Sequence, residues 1–300
     1  MYKNFKKCKK ISLVTLGVVM LLSSPRQCRA QLKATVFENF NQTIVNPYLI
    51  NPAATDTSYS FKLRADNINE LGIIKNVSRF YIDGDKRLNS SQENNFHFIG
   101  LQATNTKLGD YISSSRLKVR YSWFARLSQK AALSSGASLG FVNIAFLTTQ
   151  GGSGGSATGP DGSIGIHYVR SNSYIGVAVQ QLFTPVLIPV NQSFRLSRLY
   201  NFDVAKRFPL GSQADVTTQA VLQVSDKGSY SYNFGFLGNI HDLVLIGVNN
   251  FSLRKTSVNA GIKRISVFQA KLMLLVTYSF YHSSFPLPDN TLEIFIALQK

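Results

Sequence analysis

The sequence predicts an all-β fold: a transmembrane, antiparallel, up-and-down β-barrel of about 14 strands, of the outer-membrane type. Three observations carry this expectation. Period-two segments, apolar on one face and polar or small on the other, follow one another from residue 58 to the C-terminus, with no competing helical period. The chain opens with an export leader. Beyond the leader it has neither a cysteine nor an apolar run of about 18 residues, so neither a disulfide framework nor a spanning helix can hold it.

Lys3, Lys6, Lys7, Lys9 and Lys10 form a basic n-region ahead of the apolar residues 11–22 and a short polar stretch ending at Ala30. Twelve apolar residues are too few to span a bilayer as a helix, so residues 1–30 are expected to be a cleaved signal peptide. Pro25, Arg26 and Gln27 precede Cys28 and do not make a lipoprotein site. Cys8 and Cys28 both leave with the leader, which removes disulfides, cysteine metal sites and cysteine nucleophiles. The leader also carries seven basic residues and no acidic one, so its loss lowers the formal charge from +17 to +10. A basic exported surface suits lipid phosphates and acidic envelope partners. Nucleic acid is not expected as a partner, because no basic run is interleaved with aromatics.

Residues 31–56 read as a periplasmic lead-in, since Asn46-Pro47 and Asn51-Pro52 punctuate them and proline removes a ladder donor. The barrel is expected over 57–300. Its strands are expected near 58–67, 72–82, 95–104, 115–126, 132–146, 163–170, 173–182, 194–207, 213–225, 229–239, 242–250, 256–265, 270–281 and 290–299. Lys62, Arg64, Lys118, Arg120, Arg126, Asp215 and Gln223 fall on polar faces that would line the lumen. Around Pro160-Asp161-Gly162 the chain reads as a turn that opens a hairpin. Ile164, Ile166 and Tyr168 would point one way and Gly165, His167 and Val169 the other. A second turn at Ser171-Asn172-Ser173 leads to an answering strand from Tyr174 to Leu182. Aromatics such as Phe80, Tyr81, Tyr230 and Tyr281 crowd towards strand ends, where membrane girdles would place them.

No catalytic, metal-binding or cofactor-binding residue is expected, and no cofactor. Gly151-Gly152-Ser153-Gly154-Gly155 matches the nucleophile-elbow pattern, but glycine and serine continue past it and cannot start the helix that an elbow requires. His97, His167, His241 and His282 share no metal-ligand spacing.

The chain resembles the PorP/SprF family of outer-membrane proteins, associated with the type IX secretion and gliding apparatus of the Bacteroidetes. Asn51-Pro52-Ala53-Ala54 is similar to the family's Asn-Pro-Ala element. Pro160, Asp161, Gly162, Gly165, Tyr168, Tyr174, Gly176 and Leu182 are similar to its central hairpin motif. The terminal Gln299 and Lys300 depart from the family's aromatic ending. The resemblance implies a non-enzymatic, integral outer-membrane component that works with ring or motor lipoproteins and supports the secretion or surface anchoring of adhesins. Partner contacts are expected in loops 83–94, 105–115, 150–162 and 187–193, and in the lead-in, at Asn46, Pro47, Tyr48, Asn51, Pro52 and Ala53. A general porin or solute channel is the alternative, and a barrel-embedded lipid hydrolase the third reading.

Overall fold

Alternation decides the architecture: each strand has one face that water must wet and one that it must not, and closing the sheet separates them. The computed structural model describes residues 40–72, 75–88, 95–147, 154–190, 193–282 and 290–300. The expected signal peptide and residues 31–39 lie outside these. Two short 3-10 helices, Asn41–Ile44 and Pro47–Leu49, come first. The strands that follow are β1 Phe61–Glu70, β2 Ser78–Leu88, β3 Asn95–Leu108, β4 Ile112–Ser128, β5 Ala131–Phe146, β6 Gly155–Arg170, β7 Ser173–Gln180 and β8 Val186–Leu187. After them come β9 Phe194–Arg195, β10 Leu199–Pro209, β11 Ala214–Ser225, β12 Tyr230–Ile240, β13 Val244–Phe251, β14 Lys255–Val267, β15 Ala270–Tyr281 and β16 Thr291–Gln299.

Fourteen of these strands close a barrel in which each pairs antiparallel with its neighbours in sequence. β1 meets β16 at the seam, Lys62 opposite Gln299. β8 and β9 pair only with each other, and β10 follows β7 in the wall. No described helix is long and apolar enough to cross a membrane, and the crossing is made by strands.

Outward residues form the apolar belt. Leu117, Val119, Tyr121 and Trp123 are 50, 53, 48 and 37% exposed, while Lys118, Arg120 and Ser122 between them are buried in the lumen. Lys62, Arg64, Asp215 and Gln223 also point inward as expected. Arg126, opposite the buried Ala132, keeps the inward parity but is exposed at the rim, where β4 ends. Phe124, two residues before it, faces inward against Phe98 and Ala132.

Two stretches with turn-like composition are strand. Expected as a loop, 83–94 begins inside β2, where Asp83 stands opposite Arg64 and Asp85 opposite Lys62. The aspartates pair with Arg64 and Arg120 along the inner wall, and so the composition that looks like a turn is a charged inner face. Pro160-Asp161-Gly162 lies within β6, Pro160 opposite Phe141 of β5. Gly162 accepts from Leu182 N–H on its other side, so Pro160, two residues earlier, also faces that side. β7 has already ended there, and the missing proline donor breaks no ladder. Likewise most of 105–115 belongs to β3 and β4, joined at 109–111, and Leu187 pairs with Phe194. Residues 89–94, 148–153 and 191–192 of the expected loops lie outside the described residues. Further shifts are that the first two strands start at Phe61 and Ser78, and that 194–198 do not belong to the barrel strand that begins at Leu199.

At the end where β1 begins, connections are short, as at 129–130, 171–172 and 268–269. The longest connections, 71–77, 147–154, 181–198 and 282–290, are all at the opposite end, beside short ones at 109–111, 226–229 and 252–254. Short turns face the periplasm and long loops the exterior in outer-membrane barrels. Val119→Arg, on the lipid face, should lower the free energy of folding into bilayers by about 2–4 kcal/mol. Lys118→Arg, on the inner face of the same strand, should leave it nearly unchanged. Equilibrium refolding into lipid vesicles checks both.

Candidate functional site

Residues 40–57 occupy the lumen. The Asn-Pro punctuation keeps them out of the sheet: Pro47 starts the second 3-10 helix, and the Asn51 side chain accepts from Ala53 N–H at 2.9 Å, closing a local turn. A segment with no sheet partner must satisfy its backbone elsewhere. Here the wall does so with side chains. Asn249 Nδ2 donates to Asn41 O at 3.0 Å, Gln219 Nε2 to Thr43 O at 3.3 Å and Gln180 Nε2 to Leu49 O at 2.9 Å. Asn201 Nδ2 donates to Ile50 O at 3.0 Å and Ser134 Oγ to Ala53 O at 2.6 Å. Four inward amides and one hydroxyl, from five different strands, stand in for a ladder.

Three further contacts fix the segment. Asn41 donates its backbone N–H to Glu293 at 3.3 Å, and its side-chain amide also reaches Glu293. Phe40, Leu49 and Ile50 pack with Ile68, Tyr81 and Val221 of the wall. The ring of Tyr48 lies between two guanidinium groups, 4.3 Å from Arg64 and 3.8 Å from Arg120. Asp83 holds both arginines, accepting from Arg64 Nη1 at 2.6 and 2.8 Å and from Arg120 Nη1 at 3.1 Å. Asp85 completes the group through Arg64 and, at 3.5 Å, Arg120. Desolvated cation–π contacts of this kind are each worth about 2 kcal/mol.

Where the segment meets β5, β6 and β7, the wall has no side chains to spare. A Cβ on Gly136 would come within 2.4 Å of Pro52 O, one on Gly165 within 2.1 Å of Asn51 Oδ1, and one on Gly176 within 2.8 Å of Asn51 Nδ2. Gly136 pairs with Gly165, and Gly165 with Ala178, so the floor is a row of small residues across three strands. Asn51 donates across it to Ile166 O at 3.1 Å.

The structure therefore brings two separate sequence elements together: Asn51 rests on Gly165 and Gly176, while Pro52 and Ala53 lie beside it on Gly136. Asn46, Tyr48, Asn51, Pro52 and Ala53 are all buried, and Pro47 is half-buried. Of the remaining motif residues, Asp161 forms an ion pair with Lys118 at 2.9 Å, and the Tyr174 hydroxyl accepts from Gln219 at 2.8 Å. Tyr168 sits on the outer side with Ile164 and Ile166, and does not join the site. Sequence reasoning missed the wall amides and the Tyr48 clamp; the inward placement of Arg64 and Arg120 was the available signal.

On the periplasmic side of the lodged segment, Pro47, Tyr48, Asp56, Lys62, His167 and Tyr174 line a vestibule of about 370 Å³. His167 stacks on Tyr174 at 4.7 Å, and neither ring nitrogen has a hydrogen-bond partner among the described residues. Asp56 accepts from Lys62 Nζ at 3.2 Å and from Ser58 N–H at 3.1 Å. Burial disfavours its ionised form, but Lys62 and Ser58 outweigh burial and hold the carboxyl below the usual aspartate range.

An antiparallel barrel with an apolar belt, a charged lumen and a lodged N-terminal segment defines a plugged outer-membrane β-barrel protein. The model of the type IX secretion system membrane protein PorP/SprF matches residues 34–298, and the chain belongs to that family. In shape it is similar to the toluene transporter TbuX of Ralstonia pickettii, with a TM-score of 0.60 and 13% identity over 84% of this chain and 92% of that one. It is also similar to the monoaromatic hydrocarbon channel CymD, with a TM-score of 0.56 and 12% identity over 88% and 93%. At such identities the likeness is one of fold. No curated protein matches the chain.

Gly165→Val should displace the lodged segment and lower thermal stability, whereas Gly84→Ala, whose added Cβ would meet nothing closer than the Leu63 side chain at 3.4 Å, should change it far less; circular dichroism melting distinguishes them. Tyr48→Ala should cost about 3 kcal/mol in denaturant titration. The folded-state value of Asp56 is depressed, so its contribution is fully present above the unfolded aspartate value and is lost as pH falls through the lower folded one. Melting curves of Asp56→Asn against pH should lack that part of the acid-side loss.

Proposed function

We propose that this protein is a non-enzymatic part of the type IX secretion and gliding machinery, supporting secretion or surface anchoring of adhesins through periplasmic lipoprotein partners. Family membership carries the reading, and the lodged segment supports it. A lumen crossed by a segment with buried backbone contacts on five strands suits a docking component better than an open porin. The docking surface is the vestibule. Pro47, Thr55, Asp56 and Tyr174 offer a proline, a charge and an aromatic to a periplasmic chain, and Asn46, Tyr48, Asn51, Pro52 and Ala53 hold that surface in place.

A photo-crosslinking residue at Thr55, introduced into the protein in its native outer membrane, should capture a lipoprotein of the secretion ring or motor. Crosslinks no different from those at the lipid-facing Val119 would refute the docking surface. In planar bilayers the intact protein should show no steady conductance, and deletion of residues 40–57 should open one. Conductance of the same size in both would favour the channel reading, for solutes like those of the similar hydrocarbon channels.

A further inference from the structure

The opposite mouth holds a second cavity, of about 360 Å³, above the place where Asn41 is fixed. Lys255 reaches into it from the start of β14, one inward position beyond Ser257, which donates to Asn41 Oδ1 at 3.0 Å. Lys255 is only 7% exposed. Its ammonium has no salt bridge or hydrogen bond among the described residues; it rests over the rings of Phe251 at 4.5 Å and Tyr281 at 6.0 Å. Every other buried basic residue of the clusters described above faces a carboxylate at close range: Arg64, Arg120 and Lys118 pair with Asp83, Asp85 and Asp161. Glu293 and Glu70 act on it only from beyond ion-pair distance, with Arg79 opposing them, and a buried ammonium without a close anion is costly unless something supplies one.

Two more features give the cavity its chemistry. Thr291, 2% exposed, lines it with a hydroxyl that has no hydrogen-bond partner among the described residues. Arg79 and Arg254 add positive charge against the single carboxylate of Glu70 in the lining. Glu293, one inward position below Thr291, is already engaged by Asn41. Ile68, Phe251, Tyr230 and Tyr281 supply apolar wall. The volume is at the small end of organic ligand sites and far beyond what an inorganic ion fills.

We infer that this outward-facing cavity binds a small organic carboxylate, its charge on Lys255, a second oxygen on Thr291 and its apolar body against the aromatic wall. The site lies at the rim opposite the vestibule and does not depend on it.

The test uses the full chain purified from outer membranes in detergent, with sodium benzoate as probe and saturation-transfer NMR and calorimetry as readouts. Saturable binding is expected, weakened at least about tenfold in Lys255→Met, as the loss of a charged partner predicts, and retained in Lys255→Arg. Heat-modifiable migration on gels verifies that each variant is folded, and Lys255→Gln takes the place of the methionine variant should that one fail to fold. Unchanged binding in the folded Lys255 variant, or no saturable binding to the native protein, would overturn the site. Displacement of benzoate by an equal concentration of inorganic phosphate would overturn its assignment to an organic carboxylate.

Discussion

Two arginines hold the ring of Tyr48 between them, and the arrangement of the lumen follows from what keeps those arginines in place. Arg64 and Arg120 come from strands that are not neighbours, and both are bound by Asp83 and Asp85 on β2. Four charges away from bulk water are tolerable only because each meets its opposite with hydrogen-bond geometry. Once fixed, the two guanidinium groups both lie within 4.3 Å of the Tyr48 ring centroid, where an aromatic ring is the group they attract. Tyr48 thereby sets the depth and rotation of the whole segment from Phe40 to Thr57.

From that point the segment is held in opposite ways on its two sides. Towards β10, β11 and β13 it meets long amide side chains, which reach out to its carbonyl groups. Towards β5, β6 and β7 it meets glycines and alanine, which leave it room to lie directly on the wall. One side supplies hydrogen bonds over a gap; the other supplies direct contact, with Ser134 and Gln180 at its margins still donating to Ala53 O and Leu49 O. Asn51 draws on both: it closes its own turn, rests on Gly165 and Gly176, and still donates to Ile166 O. That is why an asparagine before a proline belongs here. Its side chain replaces the backbone pairing that the proline denies.

The barrel was legible in the sequence because alternation is a local property. Leu117, Lys118, Val119 and Arg120 declare their faces without reference to any other strand, and fourteen such runs suffice for closure. What failed was punctuation. Asp83, Gly84 and Asp85 have the composition of a turn, and only the opposing Arg64 shows that they are a charged inner face; Pro160 has the look of a strand terminator, and only the early end of β7 makes it harmless. The lumenal segment was marked by its Asn-Pro pairs as something other than strand, but its location rests on pairs such as Asn201 with Ile50 and Asn249 with Asn41, separated by 151 and 208 residues. No short-range pattern encodes contacts at that range. Lys255 was invisible for a different reason: in sequence it is one more basic residue, and its lack of a partner exists only in three dimensions.

Wall and lodged segment do not depend on each other equally. The wall's charges are largely paired within the wall, Arg64 with Asp83, Arg120 with Asp83 and Asp85, and Lys118 with Asp161, so they stay satisfied whether or not the lumen is filled. The segment has no such reserve, since its carbonyl groups at Leu49, Ile50 and Ala53 are satisfied by wall side chains alone. Each of those bonds is worth about 1 kcal/mol net and can be exchanged for water at little cost. The apolar contacts of Phe40, Leu49 and Ile50 and the clamp on Tyr48 resist exchange, and so they set the barrier to leaving. The exception on the wall is Glu293, which takes both its described donors from Asn41 and lies against Asp66. Emptying the lumen would take both Asn41 donors from Glu293, a buried carboxyl that carries few other partners, and the segment is therefore most strongly required at its Asn41 end, farthest from the periplasmic vestibule.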